Sequence, residues 1–188
     1  MITPVFRVSY PNVFKPRFNK LNNKMEYSIE ALFDKNADLS GLKKAAEEAC
    51  VKEFGPDKTK WPKKLRSPFK DQADKAKEVD GKEVLADSYT RGAMFLSLKS
   101  NQKPGLVNQS TEDIIDETEF YAGCYARAYV TCYAYNQVGN AGVNFGLQHI
   151  QKVKEGDPLG SRVKVEDAFS PVDTENSGEA KDATSVFN

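Results

Sequence analysis

A single histidine, His149, and three cysteines, Cys50, Cys124 and Cys132, are spread over 188 residues. With one imidazole and no C-x-x-C spacing, the chain carries no zinc-site pattern. The same shortage argues against a Ser/His or Cys/His nucleophilic pair. In a strand, His149 reads as structural. Cys124 and Cys132 are eight positions apart in one strand-like segment, so roughly 26 Å separates them, far beyond disulfide reach. An odd, unpaired set of thiols points to a reducing compartment. No apolar run approaches the roughly 20 residues of a membrane span. The opening MITPVFRVSYP lacks the basic start and apolar stretch of a secretory signal. Neither G-x-x-x-x-G-K-[ST], G-x-G-x-x-G nor H-E-x-x-H occurs. No catalytic residue, metal or cofactor is assigned.

Net charge is lacking too: 27 Lys and Arg balance 27 Asp and Glu. That excludes a uniformly basic nucleic-acid coat and permits a dipolar molecule. After Pro171 the chain carries Asp173, Glu175, Glu179 and Asp182 against Lys181 alone, so this tail is −3 and the body +3. The expected division is a domain over 1–170 and a flexible acidic tail over 171–188. The tail could compete for a basic surface, or dock a partner with Phe187 as its apolar anchor.

What is present is mostly strand pattern. Residues 2–10 read as a first strand, with Pro11 and Pro16 framing a loop. Residues 24–34 alternate, Met25, Tyr27, Ile29, Ala31 and Phe33 on one face and charged or polar residues on the other. One helix is expected over about 39–54, with Ser40 as N-cap and Gly55-Pro56 as stop. Its apolar stripe is Leu42, Ala45, Ala46, Ala49, Cys50 and Phe54. Residues 55–90 are long, polar and weakly periodic, a functional insertion or mobile segment. Strands resume at 92–99, 104–108, 120–137 and 142–154. This order predicts a mainly β chain: an OB-fold, a five-stranded antiparallel Greek-key barrel with one covering helix. A β-sandwich is the second choice.

Chemistry concentrates in residues 121–135, YAGCYARAYVTCYAY. In a strand, Tyr121, Tyr125, Arg127, Tyr129, Thr131, Tyr133 and Tyr135 share one face, and Ala122, Cys124, Ala126, Ala128, Val130, Cys132 and Ala134 the other. Two assignments fit this pattern. Rings facing out, with an arginine among them, would stack bases and hold phosphates. Rings facing in would form the core. A bulge midway would swap the faces, so some rings are expected inside and some outside.

A second constellation is KTKWPKKLRSPFK over 58–70: Lys58, Lys60, Lys63, Lys64, Arg66 and Lys70 with Trp61 and Phe69 between them and no acid. Cations recruit phosphates by counterion release, and an exposed Trp stacks a base. The competing reading is a solvated loop anchored by its tryptophan. A third is RGAMFLSLK over 91–99. Met94, Leu96 and Leu98 face the core there, while Arg91, Phe95, Ser97 and Lys99 form an outer strip. HIQKVK over 149–154 adds Lys152 and Lys154 on one face. The acidic run Glu112, Asp113, Asp116, Glu117 and Glu119 could in principle hold the two metals of a nuclease; it reads better as a solvated connector.

The pieces WPKKLRSPFKD (61–71), KPGLVNQ (103–109), YAGCYARAYVTCYAYN (121–136) and GVNFGLQHIQKVKEGDPLG (142–160) resemble the bacteriophage single-stranded DNA-binding proteins with an OB-fold, related to the replication protein of the T7-like phages. The resemblance implies a non-enzymatic protein that coats ssDNA in replication and recombination, in the cytoplasm of the infected bacterium. It also implies a C-terminal tail that contacts replication proteins. The residues expected at the DNA are Lys58, Lys60, Trp61, Lys63, Lys64, Arg66, Arg91, Phe95, Lys99, Tyr125, Arg127, Tyr129 and Lys152. An RNA-binding OB protein and a protein-interaction module are the alternatives.

Overall fold

Alternation of small and large apolar residues along a few long segments closes the chain into a ring of strands. The computed structural model describes residues 1–160 except 21, 87 and 138. Its elements are β1 (Phe6–Asn19), β2 (Lys24–Leu32), α1 (Ser40–Phe54), the short strands β3 (Leu65–Arg66), β4 (Lys70–Asp71), β5 (Lys77–Val79) and β6 (Lys82–Val84), then β7 (Met94–Ser100), β8 (Gly105–Val107), β9 (Tyr125–Gln137) and β10 (Asn140–Lys154).

The long strands make the barrel. β1 pairs antiparallel with β2, with Val8 opposite Ala31. β2 pairs with β7, with Ala31 opposite Leu96. β7 meets β10 at Lys99 and Gly146. β10 runs antiparallel along β9, and β9 returns to β1 at Ala126 and Phe6. The expected five-stranded barrel is therefore present, with one amendment: the β7–β10 join is parallel. β10 has no single partner on its second edge, which β3, β7 and β8 occupy in turn. Closure removes the exposed edges that a flat sheet would leave.

Phe6, Val8, Ile29, Ala31, Leu96, Leu98, Ala126, Ala128, Val130, Val143, Phe145 and Leu147 fill the interior. α1 adds Leu42, Ala46 and Cys50 to it, the middle of the expected stripe. Burying one such leucine contributes about 1.5–3 kcal/mol. Ser40 is the first helical residue and not the cap. Asp38 accepts the Ser40 N–H at 2.9 Å, one position further out. Gly55, at φ 87°, ends the helix as expected and returns its N–H to Val51 O.

β1 corrects the reading of Pro11 and Pro16 as loop residues. The strand runs through both, and its register slips between Ser9 and Asn12 and again between Asn12 and Arg17. β1 pairs with β9 at Phe6 and Arg7, and Val8 still donates to Cys124 O and accepts from Gly123 N; past Val8 that edge has no paired strand among the described residues, and a residue without N–H is tolerated. Met25, expected inward, is exposed opposite Phe18, because this end of the β1–β2 hairpin projects past the barrel.

Residues 55–90 are not one mobile loop. Gln72, 3 % exposed, donates to Phe33 O and Met94 O and accepts from Thr90 N. That amide fixes the segment to β7. Among the described residues, only the β5–β6 hairpin forms a sheet of its own.

Candidate nucleic-acid interface

β9 keeps one face outward along its length. Ala126, Ala128 and Val130 are buried, while Arg127, Tyr129, Thr131 and Tyr133 are exposed and Tyr125 and Tyr135 half-buried. Tyr129 and Tyr133 are each 49 % exposed. The expectation that the rings divide between core and surface is thus corrected: from Tyr125 to Tyr135 they stand on one outer face. The reason is where the bulges fall. Both register shifts lie on β10, between Leu147 and His149 and between Lys152 and Lys154. The partner strand absorbs the extra residues, and β9 alternates undisturbed.

β10 also supplies the floor of this face. Gly142 lies opposite Tyr135, and Gly146 opposite Thr131. A Cβ on Gly142 would come within 2.6 Å of Tyr135 Oη and 2.9 Å of Arg66 Cβ. On Gly146 it would meet Thr131 Oγ1 at 2.9 Å and Tyr133 Cε1 at 3.6 Å. Two glycines at i and i+4 share a strand face, so the rings can lie close over bare backbone. Further along, Tyr129 and His149 are near-parallel, 6.5 Å apart. The His149 ring in turn covers Gly105 of β8, where a Cβ would be 2.6 Å from Nδ1. The lone histidine is therefore part of the outer face.

The expected cations divide. β3 places Arg66 beside Gly142, hence beside Tyr135. Lys63, Lys64 and Arg66 meet no carboxylate among the described residues. Lys58 pairs with Glu47, and Lys60 with Asp57 at 3.4 Å. Arg127 donates Nε to Gln151 at 2.9 Å and stays exposed between Tyr125 and Tyr129. Arg91 is 3.7 Å from Glu83, and Lys99 3.2 Å from Glu26; neither lies on β9 or β10.

Three expectations change. Trp61 is half-buried, tilted against Phe54 at 6.2 Å, with Nε1 donating to Gly55 O at 2.9 Å. It anchors the basic segment to the end of α1. Phe95 is 2 % exposed; β4 and Lys75 cover it, with Lys75 Nζ 4.7 Å from its ring, so it is no surface platform. Lys152 is turned away from the ring face: it donates to Glu119 O and Glu155 and lies over Tyr121 at 5.6 Å. The bulge at 153 instead brings Lys154 over Tyr125, 4.3 Å from the ring. Strict alternation in the sequence puts Lys154 on the same face as Lys152, and only the bulge separates them.

The acidic run 112–119 holds no metal-binding group of three carboxylates, histidines or cysteines among the described residues. Asp116 accepts Thr118 N–H at 2.8 Å, which holds its carboxyl below the usual range. The tail residues Asp173, Glu175, Glu179, Asp182 and Phe187 lie outside the described residues. Among the described residues no helix is long and apolar enough to cross a membrane.

A family profile described as the ssDNA-binding protein of Enterobacter phage Enc34 matches residues 1–181. The solved single-stranded DNA-binding protein from bacteriophage Enc34, in complex with ssDNA, is 22 % identical; the match covers 85 % of this chain and 88 % of that one, with a TM-score of 0.64. gp2.5, the single-stranded DNA binding protein encoded by bacteriophage T7, is 15 % identical over 87 % of this chain and 96 % of that one, at a TM-score of 0.56. No curated protein sequence matches.

Proposed function

The chain belongs to the family of the phage Enc34 ssDNA-binding protein, and from that premise we propose that it binds single-stranded DNA without base readout and coats it during phage replication and recombination in the infected cell. The observation that carries this reading is the unbroken outward face of Tyr125, Arg127, Tyr129, Tyr133 and Tyr135. Bases stack on the exposed rings at about 1–3 kcal/mol each. Phosphates lie along Arg127, Lys154, Lys63, Lys64 and Arg66. Stacking accepts any base, because every base has a π-face. A duplex keeps its base faces covered and is excluded. The binding itself calls for no bond-making step.

The test is fluorescence polarisation of a labelled dT oligomer at two salt concentrations, with duplex and matched RNA as competitors. Tight binding that weakens with salt and resists duplex is the expected result. Absence of binding at low salt would overturn the reading, and equal competition by RNA would shift it to single strands of either sugar.

A further inference from the structure

A second aromatic and basic surface begins beside the tyrosine face, at Arg7, which lies opposite Tyr125. The β5–β6 hairpin stands over the outer side of β1 and encloses a groove of about 1000 Å³. Arg7, Tyr10, Arg17, Lys75, Lys77 and Tyr89 line it, with Val79 and Val84 of the hairpin. No carboxylate lines it among the described residues.

The hairpin is two-faced. Lys77 lies opposite Val84, and Glu78 opposite Glu83. Lys77, Val79 and Val84 turn into the groove, while neither glutamate lines it. Two like charges placed directly across a ladder repel, and Arg91, 3.7 Å from Glu83, offsets that repulsion on the hairpin's other side. Arg17 and Lys77 meet no carboxylate among the described residues. Arg7 donates Nη2 to Asp157 O at 2.8 Å, yet its Nε is shielded from water without a hydrogen-bond partner among the described residues. A buried, unpartnered guanidinium N–H is a costly group unless an acceptor arrives. Tyr10 adds a backbone signal: at φ 45° in the β1 irregularity, it holds a conformation rare for a residue with a side chain. Tyr10 is 53 % exposed, and its ring faces Lys75 Nζ, itself paired with Glu30, at 5.6 Å.

We infer that this groove takes a further stretch of single strand, in which Arg7, Arg17 and Lys77 hold phosphates and Tyr10 and Tyr89 receive bases. The inference rests on the ssDNA-binding reading and extends the strand's path past Arg7 into the space between β1 and the β5–β6 hairpin. Residues 156–160 lie between the two surfaces: a Cβ on Gly156 would sit 2.9 Å from the Tyr125 ring, and Leu159 donates to Ala122 O. Pro158, Leu159 and Gly160 form one wall of the groove, so it is a partly screened continuation of the tyrosine face.

The experiment uses the full chain. An oligomer carrying 5-iododeoxyuridine is photocrosslinked and the adducts mapped, alongside polarisation titrations of wild type, Arg17→Ala/Lys77→Ala and Tyr129→Ala/Tyr133→Ala. Arg17 and Lys77 are exposed, so their variant should melt with wild type. Expected are adducts at Tyr10 or Tyr89 as well as on β9, and a salt slope shallower by about 1.4 in Arg17→Ala/Lys77→Ala, the value for two single-strand phosphates. Adducts confined to β9 with an unchanged slope would overturn the groove and leave the tyrosine face standing. A wild type that binds no oligomer would overturn both.

Discussion

Tyr129 of β9 and His149 of β10 lie ring to ring, centroids 6.5 Å apart and planes 29° from parallel, on the outside of the barrel. The pair forms one stacked unit on the barrel surface. Removing Tyr129 from it should remove a stacking site without touching the core, since Tyr129 is half in water. Tyr129→Ala is expected to weaken dT binding by about 5- to 100-fold with little change in melting temperature. Polarisation and a thermal melt, run together, separate those outcomes. An equal loss in both would make the ring structural.

Gly142 sets how close the rings approach the sheet. Gly142→Ala drives a methyl into Tyr135 Oη, Arg66 Cβ and the Arg66 carbonyl, all inside 3 Å. The tyrosine end can swing aside, but the β3 backbone cannot without giving up its pairing. The variant should lose about 1–3 kcal/mol of stability and expose 58–70 to protease. Denaturant melts and limited trypsin digestion read both.

Salt dependence should separate the cations by partner. Lys63, Lys64 and Arg66 meet no carboxylate among the described residues, whereas Lys58 and Lys60 already hold Glu47 and Asp57. Changing the first three to Ala should flatten the slope of log K against log salt by about 0.7 for each phosphate no longer neutralised. Changing Lys58 and Lys60 should alter it less. Titrations from low to physiological salt decide.

Acid should loosen the β1–β2 hairpin. Burial works to raise the Glu26 carboxyl, but Asn19, Asn22 and Lys99 together hold it below its ordinary 4.5. A depressed folded value means stability that is present above the unfolded value and lost as pH falls through the lowered one. Wild type should therefore exceed Glu26→Gln in stability at pH 7, with the gap closing as the pH drops below 4. Chemical melts across pH 3–7 would show it; a constant gap would assign the effect to packing.

Burial raises the Cys132 thiol to about 11 and raises Cys50 and Cys124 as well. Alkylation by iodoacetamide at pH 8 should be slow in the native protein and complete in denaturant. Fast native labelling of any of the three would contradict that burial.

The barrel is legible in the sequence because its long strands alternate cleanly. Ile29 and Ala31, or Ala126, Ala128 and Val130, mark an inner face by spacing alone. The tyrosine face is legible as a pattern but not as a direction. Its orientation depends on where bulges fall, and those lie on β10, where Lys152 and Lys154 then part company. Phe95 reads as exposed because β4 and Lys75, which cover it, come from a distant part of the chain. The strand through Pro11 and Pro16 is hidden because proline is punctuation in most strands, and only the unpaired edge of β1 makes it harmless. Nothing local to Tyr10 or Arg7 announces the groove, which exists only once the hairpin is in place.

The ring closes through its two most distant parts. Ala128 donates its N–H to the Thr3 hydroxyl oxygen across 125 residues of sequence, and β1 meets β9 at the same seam. During synthesis at about 5–20 residues per second, β1 waits on the order of ten seconds for the strand that completes its pairing. Until then Phe6 and Val8 have no barrel to enter, and β1 and β2 form a hairpin with an open edge. Folding dominated by such distant pairings is slow, so the interval between translation and closure is when this chain is most exposed to aggregation.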